Sequence, residues 1–154
     1  MIVVFDTAVN AKSKEELERA CYFFATQLLT DEEIDQLNIE IDLKKKLDSS
    51  ALGYCESLDE GDVQRNFRIE LQRGLTSEVL SSLAHEMVHL KQYVRNELRE
   101  SDNYHKSQWH GTLIADRDED YYDHPWEIEA YGREVGLRYK YHRTFPDRVA
   151  GEVI

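Results

Sequence analysis

The feature that most constrains this chain is a five-residue run, His85-Glu86-Met87-Val88-His89, inside a segment with helical periodicity. Residues four apart lie on one face of a helix, so His85 and His89 can present their imidazole nitrogens to a single ion. Glu86 lies about 100° further round the helix, where it could reach a water on that ion without binding the ion itself. The run therefore predicts a helix that carries a metal site with a general base beside it.

The alternative interpretation of this run is a solvated helix whose two histidines face water. The apolar residues of the segment form one stripe at helical spacing, namely Leu80, Leu83, Met87, Leu90, Val94 and Leu98. His85 and His89 project from roughly the opposite face, beside Ser81, Ser82 and Gln92. That placement suits either solvent or a cleft, so the choice depends on residues further along the chain.

Length and composition bound the class of protein. A chain of 154 residues predicts one domain spanning 1–154, with 144–154 as a tail. Acidic residues outnumber basic ones by 31 to 19, and the net charge of −12 disfavours nucleic-acid and anionic-membrane partners. Cys21 and Cys55 are too few for a disulfide framework and are expected to fill the core in a reducing compartment. Because no secretory signal or membrane span is visible, we expect a soluble, cytoplasmic protein.

The hydrophobic pattern predicts a small α+β fold. Short or alternating apolar runs indicate strands at 2–5, 37–43, 51–56 and 67–71. These local runs favour an antiparallel sheet of three to four strands, with 2–5 at its edge. Between the first two strands we expect a helix that begins with a Ser13–Glu16 capping box and ends near Thr30.

Two further helices are expected in the second half of the chain. Thr76 is a plausible N-cap for the helix that carries the motif, and the periodicity continues to about Leu98. Residues 99–123 are polar and irregular, as in a long functional loop. Pro125 suits the first turn of a last helix that ends near Tyr141.

A catalytic zinc ion usually has three protein ligands, so the histidine pair needs a third residue. Candidates after the motif are His105, His110, His124, His142, Glu127, Glu129 and Glu134. The most informative segment is HPWEIEAYGREVG, residues 124–136, because a glutamate near the start of a helix can be brought against the motif helix. Small Ala130, one turn further on, would permit the two helices to approach closely.

The sequence HEMVHLKQY, followed by a Trp-His-Gly loop and PWEIEA, resembles the compact gluzincin-type metallopeptidases. In particular it resembles the short SprT-like peptidases of bacteriophage genomes, over roughly residues 76–140. The resemblance implies a zincin-like fold and one zinc ion bound by His85, His89 and Glu127, the first residue of an E-x-x-A match. Glu129 remains a rival ligand, and His110 resembles the third histidine, preceding glycine, that one SprT-like group uses.

The resemblance also implies a function, a zinc metallopeptidase that hydrolyses peptide or protein substrates, in a host cytoplasm if the chain is phage-encoded. Glu86 would act as general base toward a water that the metal makes more acidic. A second donor would assist the developing oxyanion, from a pool of Tyr121, Tyr122, His124, Tyr131 and His142. Glu134 could fix a histidine tautomer. The strand at 65–72 is hypothesised to hold an extended peptide at a sheet edge.

A different class of function stays open beside the peptidase. A catalytically silent zinc-binding protein could act by binding or inhibiting a partner, and the acidic composition would suit a mimic of DNA. Zinc-dependent amide hydrolysis on a small molecule or cell-wall fragment would use the same chemistry as the peptidase. The sequence leaves the substrate and the oligomeric state open.

Overall fold

The structure, a computed structural model, describes residues 1–47, 51–101, 106–115, 117–146 and 153–154. Seven strands and four α-helices are formed by these residues. In chain order they are β1 (Ile2–Phe5), α1 (Ala11–Leu28), α2 (Asp31–Asp35), β2 (Asn38–Lys44), β3 (Gly53–Ser57), β4 (Asn66–Gln72), α3 (Thr76–Val94), β5 (Leu98–Glu100), β6 (Lys106–Trp109), β7 (Thr112–Ala115) and α4 (Pro125–Thr144). A 3-10 helix, Asp118–Asp123, precedes α4. The predicted α+β class is confirmed.

The main sheet has the order β1-β2-β4-β3, and its strand directions differ from the prediction. The β1–β2 and β2–β4 pairs are parallel, and the antiparallel pair is β3–β4. The prediction of an antiparallel sheet is therefore wrong for two of the three pairings. For β1 and β2 the physical reason is the connection, because α1 lies between them and a helical crossover returns the chain in the same direction. β2 and β4 are parallel because β3 lies between them in sequence and runs opposite to β4 at the edge of the sheet.

The core lies on one face of this sheet, against α1 and α3. Ile39 and Ile41 on β2 and Phe67 and Ile69 on β4 are essentially inaccessible to solvent, so the predicted alternation of inward and outward residues is confirmed. The opposite face carries charged pairs such as Arg68 Nε with Glu40 Oε1, 2.8 Å apart. Buried apolar residues from α3 and α4 join the same core, which leaves one side of α3 available for the motif.

The helices α1 and α3 begin at residues other than those predicted. Asn10 caps α1, because its side-chain oxygen accepts the Ser13 N–H at 2.9 Å, so the Ser13–Glu16 capping box is wrong. Thr30 instead caps the short helix α2 through a capping box with Glu33. Thr76 is the first residue of α3 rather than its N-cap.

The motif helix α3 ends at Val94, earlier than predicted. Asn96 follows in the left-handed region with φ 55°, and Leu98 begins β5. The segment predicted as an irregular loop contains the antiparallel sheet β5-β6-β7, and its β6–β7 turn places His110 and Gly111 at φ 44° and 81°. These strands are three or four residues long, β5 and β6 are mostly polar, and β7 contains a continuous apolar run, so none shows the apolar alternation that reveals a strand in sequence.

The last helix, α4, starts at Pro125 as predicted and extends to Thr144. Beyond it, residues 153–154, in the segment predicted as a tail, contact the connection between β4 and α3. Gly74 and Ile154 exchange two backbone hydrogen bonds of 3.2 and 3.0 Å, and Ile154 is buried. Within the described ranges, no helix combines the length and apolarity needed to cross a bilayer. Cys21 and Cys55 are both buried free thiols.

Candidate metal centre

Two helices, α3 and α4, bring three ligand-type side chains together. His85 Nε2 lies 3.2 Å from Glu127 Oε2, and His89 Nε2 lies 3.4 Å from Glu127 Oε1. The two Nε2 atoms are 3.1 Å apart. All three residues are buried, at 5–8% exposure, although the histidines project away from the apolar stripe of α3. The cleft interpretation of the motif therefore holds, because α4 covers that face.

The spacing of these atoms fits a single ion. Nitrogen and oxygen ligands at about 2.0–2.1 Å from a tetrahedral zinc ion lie about 3.3 Å from one another. The three separations here, 3.1, 3.2 and 3.4 Å, fall close to that value. Among the described residues, His85, His89 and Glu127 form the one group whose ligand atoms could hold a metal ion. Small Ala130, fully buried on α4, is consistent with a close approach of the two helices.

Hydrogen bonds at the far side of each imidazole ring prepare the same geometry. His85 Nδ1 lies 2.9 Å from Glu134 Oε2, and His89 Nδ1 lies 2.9 Å from Gln92 Oε1. If each Nδ1 donates its proton outward, each Nε2 turns a lone pair toward Glu127. Two nitrogen lone pairs and a carboxylate that face one point repel one another, and a cation bound between them would relieve this repulsion. A contact of Glu134 with a histidine was predicted from the sequence, whereas the contact of Gln92 with His89 was not, although residues three apart on a helix are neighbours.

The charges of the metal-free centre favour a cation in the same place. Burial lowers the pKa of His85, but hydrogen bonds to Glu127 and Glu134 outweigh it and raise that pKa to about 9. Burial raises the pKa of Glu127, but hydrogen bonds from His85 and His89 outweigh it and lower that pKa to about 2. The carboxylate is therefore ionised at neutral pH and already attracts positive charge to this point.

Glu86 lies beside the centre, against strand β3. It is buried, and a Cβ atom placed on Gly53 would lie only 2.6 Å from Glu86 Oε1. Burial raises the pKa of Glu86; the nearby His89 and His85 oppose this rise, and Glu127 adds to it. Burial therefore makes Glu86 a stronger base than an exposed glutamate, at a position next to the candidate cation site.

Tyrosines border the centre on the α4 side. Burial raises the pKa of Tyr121 above its ordinary value, and the adjacent carboxylate of Glu127, with which its hydroxyl hydrogen-bonds, raises it further. The ring of Tyr131 packs edge-on against His85 with a centroid separation of 4.5 Å. Tyr122 is exposed, and its ring lies tilted against that of Tyr131 with a centroid separation of 5.5 Å. Among the predicted oxyanion donors, Tyr121 therefore has a hydroxyl in contact with Glu127.

The other sequence candidates lie elsewhere. Glu129 is turned toward Lys91 and Arg133, with its Oε1 atom 2.8 and 2.7 Å from their nitrogens. His110 is exposed in the β6–β7 turn, its ring against Trp109. His124 stacks on Trp126 at the start of α4, and His142 lies in the last turn of that helix. His105 lies outside the described residues.

The strand hypothesised to hold a peptide is wrongly placed. β4 pairs with β2 on one side and β3 on the other, so its backbone is in the interior of the sheet. The outermost strand beside Glu86 is β3.

Comparisons of the chain with protein-family models, with curated proteins and with solved structures give no match. What the centre can do follows from its own residues.

Proposed function

We propose that the protein is a zinc-dependent peptidase, related to the SprT-like enzymes that its motif resembles. The observation that carries the proposal is the mutual contact of His85, His89 and Glu127, with the carboxylate of Glu86 buried next to them. Two neutral imidazoles and one carboxylate are a ligand set that leaves a tetrahedral zinc ion one open position. When bound there, zinc would supply Lewis acidity toward a carbonyl oxygen and lower the pKa of water.

The residues of the chain would move the protons. The Glu86 carboxylate would accept a proton from the attacking water and then deliver it to the nitrogen of the leaving amine. Its raised pKa supports the first step, since burial makes this carboxylate a stronger base than an exposed glutamate. The Tyr121 hydroxyl, next to Glu127, would turn to the oxygen of the scissile carbonyl as negative charge develops there.

An extended peptide is the substrate shape that suits the surroundings of Glu86. β3 is the last strand of the sheet at this end, and Gly53 within it contacts the Glu86 carboxylate. A peptide added alongside β3 would run past the general base. We expect slower amide exchange along Gly53–Ser57 when a peptide hydroxamate is bound; unchanged exchange there would exclude this mode of binding.

The function is tested by comparing wild type with Glu86→Gln, a change that keeps shape and removes the base. Both proteins should bind one zinc ion per chain, measured by elemental analysis after dialysis. Wild type should cleave a dye-labelled, unfolded protein such as casein, with cleavage sites read by mass spectrometry. Glu86→Gln should cleave about 100- to 10,000-fold more slowly. Equal cleavage by both proteins, or zinc-loaded wild type without cleavage of unfolded proteins or peptide libraries, would contradict the proposal.

A second candidate function is supported by one observation, the net charge of −12. In that case the zinc centre would be structural and the acidic surface would bind a partner protein that normally binds nucleic acid. Glu86→Gln distinguishes the two, because it would leave binding and biological effect unchanged in a protein that acts without catalysis.

A further inference from the structure

Gln92 makes three contacts at the junction of α3 and α4, and it is completely buried. Its Oε1 atom lies 2.9 Å from His89 Nδ1. Its Nε2 atom donates to the backbone oxygen of Trp126 at 3.0 Å and to Glu129 Oε2 at 3.1 Å. One neutral side chain thus connects His89 to the first turns of the helix that carries Glu127.

The chemistry of these partners fixes the orientation of the amide. The Trp126 carbonyl can only accept hydrogen bonds, and so can the ionised Glu129 carboxylate, so the Gln92 nitrogen must face them. The amide oxygen is left for His89, and an oxygen can only accept. His89 must then carry its proton on Nδ1, which leaves the lone pair on Nε2, the atom that faces Glu127 at 3.4 Å.

Glu129 is itself held by ion pairs with two basic side chains, and these keep the acceptor of Gln92 in place. Its Oε1 atom lies 2.8 Å from Lys91 Nζ and 2.7 Å from Arg133 Nε. Lys91 is 4% exposed and also contacts Glu97 Oε2 at 2.5 Å. A buried ammonium with two carboxylates anchors the acceptor that Gln92 needs.

We propose that Gln92 is a positioning residue of the metal centre, which selects the tautomer of His89 and couples its ring to the packing of α4. The inference rests on the zinc site proposed above. In this arrangement Glu129, two residues after Glu127, does not bind the ion. It accepts a hydrogen bond from Gln92 and so helps to orient the residue that contacts His89.

Two substitutions of similar size separate this role from simple helix packing. Gln92→Glu keeps an oxygen that accepts the His89 Nδ1–H in either protonation state, but its second oxygen faces the Glu129 carboxylate and the Trp126 carbonyl. Gln92→Met removes the acceptor and introduces no charge. If Gln92 acts only in packing, Gln92→Glu should weaken zinc binding more than Gln92→Met does. If Gln92 selects the tautomer of His89, Gln92→Met should weaken zinc binding more.

The test measures the zinc dissociation constant by competition with a chromophoric chelator, together with thermal unfolding of the metal-free protein. We expect Gln92→Met to weaken zinc binding about 10- to 100-fold. Gln92→Glu should remain within about threefold of wild type in zinc affinity while its metal-free form unfolds at a lower temperature than that of Gln92→Met. Gln27→Met, on the exposed side of α1, is the control and should leave both quantities unchanged.

Two outcomes would overturn the inference, and they differ from failure of the proposed function. Zinc binding by Gln92→Met within threefold of wild type would show that the tautomer needs no acceptor. Zinc affinities that follow the order of metal-free stabilities would assign Gln92 to packing alone. Neither readout requires cleavage, so a zinc-binding wild type without peptidase activity would reject the peptidase and leave this inference standing. A wild type that binds no zinc would reject both.

Discussion

Gly53 offers the sharpest test of how Glu86 is placed. A Cβ atom at this position would lie 2.6 Å from Glu86 Oε1 and 2.9 Å from its Cγ. Ordinary contacts of a methyl carbon are about 3.5 Å, so in Gly53→Ala the carboxylate must retreat by about 0.5–1 Å. A displacement of this size in a catalytic group costs up to about 100-fold in rate. We therefore expect kcat/KM to fall about 10- to 100-fold, with a loss of about 1–3 kcal/mol in stability from overpacking.

The assay combines the cleavage rate of the unfolded substrate with zinc content and thermal unfolding. Zinc should stay at one ion per chain, because the substitution touches the base and none of the three ligand atoms. Gly132→Ala on α4 is the matched control, since a Cβ there meets nothing within 4 Å. It should keep full activity and gain up to about 1 kcal/mol from helix propensity. A fully active Gly53→Ala, or one inactive only because it has lost zinc, would refute the placement of Glu86.

The remaining predictions concern the ligands and the protons of the centre. Glu127→Gln should weaken zinc binding by more than about 100-fold, whereas Glu129→Gln, whose amide oxygen can still accept from Gln92, should keep its zinc; both are measured by chelator competition, and the opposite order would make Glu129 the ligand. In the metal-free protein the raised pKa of His85, about 9 against 6.5, contributes stability that is complete below pH 6.5 and is lost as pH rises to 9. Thermal unfolding should therefore show a loss of about 3 kcal/mol over that window, and zinc should abolish it; an equal slope in the loaded protein would contradict the site. Tyr121→Phe should keep zinc but lower kcat by about 100-fold, and an unchanged kcat would remove Tyr121 from the reaction.

Regularities within one element were predictable from the sequence. The alternation of Ile39 and Ile41 with polar neighbours predicted a strand with one buried face, and Pro125 marked the start of α4. Helix boundaries were less accurate, because Ser13 and Thr76 have the right chemistry for caps while Asn10 and Leu75 occupy those positions. Capping depends on where the backbone leaves the helix, and a side-chain type shows only that it could serve.

Pairings between elements were less accessible. The β1–β2 pair is parallel because a helix connects the two strands. The short apolar runs instead favoured local antiparallel pairing, so the prediction missed it. The sequence did not predict that β4 has a neighbour on each side. β3 precedes β4 in the chain, but it lies at the edge of the sheet while β4 lies between β2 and β3. The expected position of the peptide-binding edge was wrong for this reason.

By itself, the sequence determined that His85 and His89 share one helix face with Glu86 adjacent, since the four-residue spacing does not depend on anything outside α3. Tertiary structure decided which of Glu127 and Glu129 faces the two histidines. The two side chains point about 200° apart around α4, so the angle at which α4 crosses α3 determines which one meets the histidines. Lys91, which is buried at that crossing, forms an ion pair with Glu129 and holds it away from the centre. This ion pair joins residues that are distant in sequence, so no local pattern encodes it.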